Sequence, residues 1–252
     1  MNRFRFLSVI VSMFISLNIT PLYADQVKVA VAANFTDVAR ELQPLFKKAT
    51  GHEAVISFGS TGKLYSQIEN GAPFEVFLAA DTRRPMKAEK EGLAVPGSRF
   101  TYALGKLVLW SLTPDLFDDA KTYLVAAKFS RLAMANPKTA PYGLAAEQVL
   151  KHMGVYPQVA PKLVRGDSIA QAFQFVATGN AQLGFVAYSQ VRAWKDKQGT
   201  EWVVPDDHYA PIAQAAVLLK KGEANPAAQA FVAFLRSDTA HKVILDYGYG
   251  LE

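Results

Sequence analysis

The chain has 252 residues, half of them apolar, so it is long enough to bury one large core or two medium ones. Its formal net charge of +5 is mild, and Lys47-Lys48, Arg83-Arg84 and Lys220-Lys221 are its only basic doublets, which gives nucleic acid no stripe to follow. It has no cysteine, which excludes a disulfide scaffold and also acylation of a cysteine at an export cleavage site.

Residues 1–24 read as an export signal. Asn2-Arg3-Phe4-Arg5 is a short basic start, Phe6 to Ile19 is apolar, and Leu22-Tyr23-Ala24 is a cleavage site with the cut after about Ala24. The apolar run is too short to span a bilayer, which takes about 20 residues. Loss of this segment removes Arg3 and Arg5 and no acid, lowering the charge from +5 to +3. The expected product is a soluble periplasmic protein.

From residue 25 the rhythm is strand, then helix. Val27 to Ala33 reads as a buried strand; Val38, Leu42, Leu45, Phe46 and Ala49 then recur at helical spacing until Gly51. Ala54 to Phe58 is a second strand, Leu64 to Asn70 a helix, and Glu75 to Ala79 a third strand. Tyr102 to Trp110 is a long β-like run interrupted by Gly105, and Ile212 to Leu219 is another. Between them lie a strand at Leu132 to Ala135, helices at Gly143 to Met153 and Ser168 to Thr178, and a strand at Leu183 to Ala187. Helices at Ala227 to Arg236 and Thr239 to Asp246 close the chain. This alternation predicts an α/β protein with mixed, mostly parallel sheets flanked by helices. The two long runs suit strands that cross between lobes, which places lobe I at residues 25–103 and 214–252, lobe II at 104–213, and a hinge near Leu104 to Leu109 and Ala213 to Val217.

Four helix starts stand out as candidates for lining a cleft: Ala33-Asn34, Ser60-Thr61, Ala140-Pro141-Tyr142-Gly143 and Gly166-Asp167-Ser168-Ile169. A helix start offers unpaired backbone N–H groups, and hydroxyls beside them add neutral donors suited to an anion. Taken singly, Asn34, Thr36, Ser60, Thr61 and Ser168 are better explained as helix caps. Tyr142, held between Pro141 and Gly143, is either a donor to an oxyanion or a structural tyrosine in a chain that has ten.

Enzymatic constellations fit poorly. Gly62-Lys63 lacks the glycine that a phosphate-binding loop needs where Ser57 stands and the hydroxyl it needs where Leu64 stands. His52, His152, His208 and His241 show no metal-ligand spacing. Asp206-Asp207-His208 reads as a solvated turn after Pro205, with no serine elbow to serve. Arg165-Gly166-Asp167 matches an adhesion tripeptide by letter alone.

Several blocks together resemble the periplasmic molybdate-binding proteins of ABC transporters. They are Val29 to Asp37, Ile56 to Gly62, Gln67 to Asp81, Asn136-Pro137 with Ala140 to Gly143, Leu183 to Ala187, and Tyr247-Gly248-Tyr249. The resemblance implies a two-lobed binding-protein fold of type II with two crossing strands, closing by a hinge on molybdate or tungstate. It implies oxyanion contacts from Ala33 (backbone), the Asn34 side chain, Ser60, Thr61 (hydroxyl and N–H), the Tyr142 phenol, the Ile169 backbone and the position of Ala187. Ala187 falls where many relatives carry a tyrosine, so the phenol is expected from Tyr142, with the adjacent Tyr188 as the other source. The implied protein is no enzyme, uses no cofactor, holds molybdenum only as the oxyanion, and acts as a monomer beside a membrane permease and its ATPase. Other readings kept open are a binder of sulfate or phosphate, a secreted hydrolase, and a sensor domain of the same fold.

Overall fold

The computed structural model describes residues 25–195 and 199–252; the expected export signal lies outside the described residues. The first lobe opens with β1 (Gln26–Ala32), a 3-10 turn at Ala33–Phe35, α1 (Thr36–Thr50), β2 (Glu53–Gly59), α2 (Thr61–Glu69), β3 (Val76–Leu78), α3 (Arg83–Lys90) and β4 (Phe100–Gly105). The second comprises β5 (Leu107–Ser111), α4 (Ala120–Ala126), β6 (Leu132–Ala135), α5 (Pro141–His152), α6 (Tyr156–Val159), β7 (Leu163–Gly166), α7 (Ile169–Ala177), β8 (Leu183–Ala187), α8 (Tyr188–Ala193) and β9 (Thr200–Val203). The chain then returns to the first lobe with β10 (Ile212–Leu218), α9 (Pro226–Phe234) and α10 (Asp238–Asp246).

Each lobe holds a five-stranded mixed sheet, in the orders β2-β1-β3-β10-β4 and β7-β6-β8-β5-β9. Strands β1 and β6, each second from an edge, are parallel to both neighbours, whereas β10 and β5 run antiparallel to theirs. The near-continuous apolar runs of β1, β3, β6 and β8 follow from this, because helices cover both faces of such a sheet. Val29, Val31, Phe46 and Phe231 pack on one side of the first sheet, and Ala30, Leu64 and Phe77 on the other. Gly51 ends α1 with a positive φ of 78°, its N–H returning to the Lys47 carbonyl.

The apolar run from Tyr102 to Trp110 is two strands in two sheets. β4 pairs with β10 up to Gly105, and β5 pairs with β8 from Leu107, so the polypeptide changes lobe at Lys106. The expected return crossing at Ala213 to Val217 is corrected. β10 lies wholly in the first sheet, and the chain returns through 205–211, where Pro205 and Pro211 break the pairing. The expected lobe bounds at 103/104 and 213/214 therefore fall inside β4 and β10. Tyr209 ties the two crossings together, its hydroxyl accepting from the Leu107 N–H at 3.2 Å.

Six elements were not legible in the sequence: α3, α4, α6, β7, α8 and β9. α3 is almost wholly polar and contains Pro85; β7 and β9 are four-residue strands at sheet edges, too short for alternation to show. α8 follows β8 without an intervening turn residue.

Candidate functional site

Strands β1 and β6 sit between neighbours reached by connections that run in opposite directions, and ligands of open α/β sheets bind at the carboxyl ends of strands at such switch points. Those ends face one another here. β1 delivers Ala33 and Asn34, β2 delivers Ser60 and Thr61, and Ala80 follows β3; from the other lobe come Ala140, Pro141 and Tyr142 after β6 and Ile169 after β7. Together with Ala32 these line one cavity enclosing about 190 Å3 of atom-free space, its open mouth included. No lining residue carries a charge.

The hydrogen bonds separate caps from free donors. Ser168 caps α7, accepting from the Gln171 N–H at 3.3 Å, and the Thr36 hydroxyl donates to the Ala33 carbonyl at 2.8 Å. Ser60 does not cap α2: its hydroxyl is buried and has no hydrogen-bond partner. A buried hydroxyl without a partner costs about 1–3 kcal/mol, so this one is a group waiting for an acceptor. The Thr61 oxygen accepts the Ala80 N–H at 3.0 Å, which leaves its own proton to donate. Thr61, Tyr142 and Ile169 also occupy the first turns of α2, α5 and α7, where backbone N–H groups have no acceptor within the helix. The macrodipoles of these helices bias the cavity toward negative charge.

Behind the cavity lies a buried polar network that crosses the lobes. Asn34 Nδ2 donates to Gln214 Oε1 at 2.8 Å and to the Tyr249 hydroxyl at 2.9 Å. Gln214 Oε1 also accepts from the Tyr102 hydroxyl at 3.1 Å, and Gln214 Nε2 donates to the Tyr142 hydroxyl at 3.2 Å. Ser189 Oγ donates to the Asn34 carbonyl at 3.1 Å and lies 2.9 Å from the Tyr249 hydroxyl. This revises the part expected of Asn34. Both its amide protons are committed within the network, so what the residue can offer an anion is the backbone of its turn. Burial pushes the Tyr142 and Tyr102 phenols well above their ordinary value, and pushes Tyr249 up to about 12 despite bonds from Ser189 and Asn34 that act the other way. The phenols therefore stay protonated donors at neutral pH.

Two further expectations change. Ala187 does not line the cavity; it is fully buried at the end of β8, and its N–H donates to Gln190 Oε1 at 3.1 Å. Tyr188 packs beside Gly248, where an added Cβ would fall 2.7 Å from its ring, and it too is outside the cavity. Tyr142 is thus the one tyrosine of the cavity wall. Gln214, Tyr102 and Ser189 were missed in the sequence, although a lone amide inside the apolar strand Ile212 to Leu219 was a signal for the first of them. His152 and His208, 56 residues apart, lie with ring centroids 4.4 Å apart and planes tilted by 39°, but among the described residues no three metal-ligating side chains gather.

The lobes touch at the cavity rim. Gly62 N–H donates to the Thr139 carbonyl at 2.8 Å, Arg84 reaches the Lys138 carbonyl at 3.3 Å while held by Asp81 at 2.5 Å, and Lys63 pairs with Asp167 at 2.6 Å. The last pair is more than half exposed and worth little. Ala32, Ala33 and Ala80 of the first lobe join the second lobe's apolar core. A Cβ at Gly62 would stand 3.0 Å from Thr139 Cα and carbonyl oxygen, so only glycine lets the backbones meet at this distance without a shift.

Two α/β lobes joined by a double crossover and closed over a small donor-lined cavity define a solute-binding protein. The chain matches the family model described as bacterial extracellular solute-binding protein over residues 27–250, and it belongs to that family. It is 58% identical over 232 residues to the molybdate-binding protein ModA of Azotobacter vinelandii, the match covering 91% of each chain. To the molybdate-binding protein ModA of Rhodobacter capsulatus it is 53% identical, over 92% of this chain and 91% of that one. Among solved structures, the Azotobacter vinelandii periplasmic molybdate-binding protein superposes with a TM-score of 0.86 at 42% identity, over 90% of this chain and 99% of that chain. The chain is accordingly a binding protein and not an enzyme.

Substituting Gly62→Val should wedge the rim apart, giving a larger radius of gyration by small-angle scattering with helix content unchanged; an unaltered scattering profile would show that this contact does not limit closure. The buried phenols set an alkaline limit. Their folded pKa values lie above the unfolded value of about 10, so the stability they carry is complete below that pH and declines as the pH rises beyond it. Denaturant unfolding followed from pH 8 to 11.5 should show a level plateau and then a fall.

Proposed function

We propose that this protein captures molybdate, and its near twin tungstate, in the cavity between its lobes and hands it to a membrane ABC permease driven by an ATPase. The observation that carries the reading is the charge-free lining of donors from both lobes, among them the buried and unpartnered Ser60 hydroxyl. The identity to two molybdate-binding relatives across nine-tenths of the chain supports the choice of anion.

The physical logic is one of desolvation. A dianion leaving water is stable in a closed site only if its oxygens receive many hydrogen bonds. Ser60 and Thr61 hydroxyls, the Tyr142 phenol, and backbone N–H groups at Ala33 or Asn34, Thr61, Tyr142 and Ile169 surround the cavity without an opposing cation. Neutral donors hold the charge while keeping release feasible, since no ion pair has to be broken. They also disfavour an anion that keeps a proton, because no carboxylate lines the cavity to accept from its O–H. Discrimination against sulfate rests on size, the larger tetrahedron reaching donors on both lobes at once. In this reading residues 1–24 direct export and are removed after about Ala24, the protein acts as a periplasmic monomer with no cofactor, and the closed form is what the permease recognises.

Calorimetry with molybdate, tungstate, sulfate and phosphate is the direct test. Tight heats are expected for the first two only; binding of sulfate or phosphate in preference to molybdate would replace the assignment by another tetrahedral oxyanion. A hydrogen bond to a charged group contributes about 1.5–3 kcal/mol, so Tyr142→Phe should weaken molybdate about 10- to 100-fold, read by the same titration.

A further inference from the structure

Gln214 is the one polar residue of β10, fully buried among Ile212, Ala213, Ala215, Ala216, Val217 and Leu218. It stands at an irregularity, because the register between β10 and β4 shifts between Gln214 and Ala215. Such bulges re-aim a side chain, and they concentrate near functional sites. The neighbouring strand makes room: a Cβ at Gly105 would fall 2.2 Å from the Tyr142 hydroxyl and 2.7 Å from Gln214 Nε2. The contact between these two groups therefore exists only because residue 105 has no side chain.

The polarity of that contact is determined by what surrounds it. Asn34 Nδ2 and the Tyr102 hydroxyl both donate to Gln214 Oε1, which leaves Nε2 on the side of Tyr142. An amide nitrogen can only donate, so the Tyr142 oxygen is the acceptor. Its own proton must then point elsewhere. Two acceptors are within its reach: the Tyr249 oxygen, which already accepts from Asn34, and an oxyanion in the cavity that Tyr142 lines, the charged acceptor being the stronger. Tyr142 belongs to the second lobe and Gln214 to the first, so the arrangement is complete only when the lobes meet.

We infer that Gln214 is a positioning residue that, through its Nε2–H, presents the Tyr142 hydroxyl to the bound oxyanion as a donor and makes that presentation conditional on lobe closure. The inference rests on the oxyanion-binding reading above. Gln214 does not touch the anion; it acts through Tyr142, and Gly105 is the gap that lets it do so.

The test is molybdate titration of the exported chain carrying Gln214→Met, Tyr142→Phe or both. Each single change should weaken binding about 10- to 100-fold, and the double variant should be little worse than Tyr142→Phe alone. If Gln214→Met costs the same factor with or without the Tyr142 hydroxyl, or costs nothing in the wild-type background, the inference is overturned. Gln214→Glu guards against a variant that fails to fold for want of a polar group. Its carboxylate would draw the Tyr142 proton away from the anion, so binding relative to wild type should collapse at neutral pH and recover as acid protonates position 214. The groups facing that position are the phenols of Tyr102, Tyr142 and Tyr249, all held protonated by burial, so the ratio to wild type reports residue 214. A ratio independent of pH would overturn the inference. Absence of molybdate binding by the wild type would instead sink the proposed function, which keeps the two failures distinct.

Discussion

A cavity that lacks a cation must meet an anion with geometry instead of charge. Every donor has to be in place, because no single one is strong enough to stand for the others, and the proposed donors come from chain segments 81 to 109 residues apart. Ser60 and Thr61 belong to one lobe, Tyr142 and Ile169 to the other. The double crossover at Lys106 and 205–211 holds these two half-sites opposed.

The requirement propagates outward. Helix starts must point inward, which places the site at the carboxyl ends of the strands, and the strands flanking β1 and β6 are parallel so that consecutive helices begin on the same edge. The rim contacts are chosen for close approach. Gly62 meets Thr139 backbone to backbone, and the alanines at 32, 33 and 80 let the lobes seat without bulk between them. The exposed Lys63–Asp167 pair adds little energy and is best understood as an orienting contact on an otherwise apolar and hydrogen-bonded seam.

Behind the donors, the phenols of Tyr102, Tyr142 and Tyr249 and the amides of Asn34 and Gln214 form a buried network that borders the cavity, in which the amide nitrogens of Asn34 and Gln214 can only donate. Buried polar groups are costly when half satisfied and orienting when complete. That is the sense in which Asn34 matters here: its amide organises the wall, and the wall organises the donors. The correction to its role is instructive because a helix-start asparagine looks like a ligand in sequence, yet two buried acceptors compete for its protons.

Much was legible before any coordinates. Hydrophobic runs and the turn residues between them determined which segments are strands and helices, and local chemistry at Ala33-Asn34, Ser60-Thr61, Pro141-Tyr142 and Ile169 marked where helices start, since both properties depend on neighbours within a few residues. Short polar elements such as α3 and β9 escaped because they are stabilised by what they pack against. Only the tertiary structure decided that Ser168 is a cap and Ser60 is not, that Ala187 stands outside the cavity, that Tyr102 to Trp110 divides between two sheets, and that Gln214 reaches Tyr142. The Ser168 cap is local but competes with other local partners that sequence cannot rank, whereas the contact of Gln214 turns on a partner distant in sequence, and a hydrogen bond across 72 or 180 residues leaves no periodicity behind it.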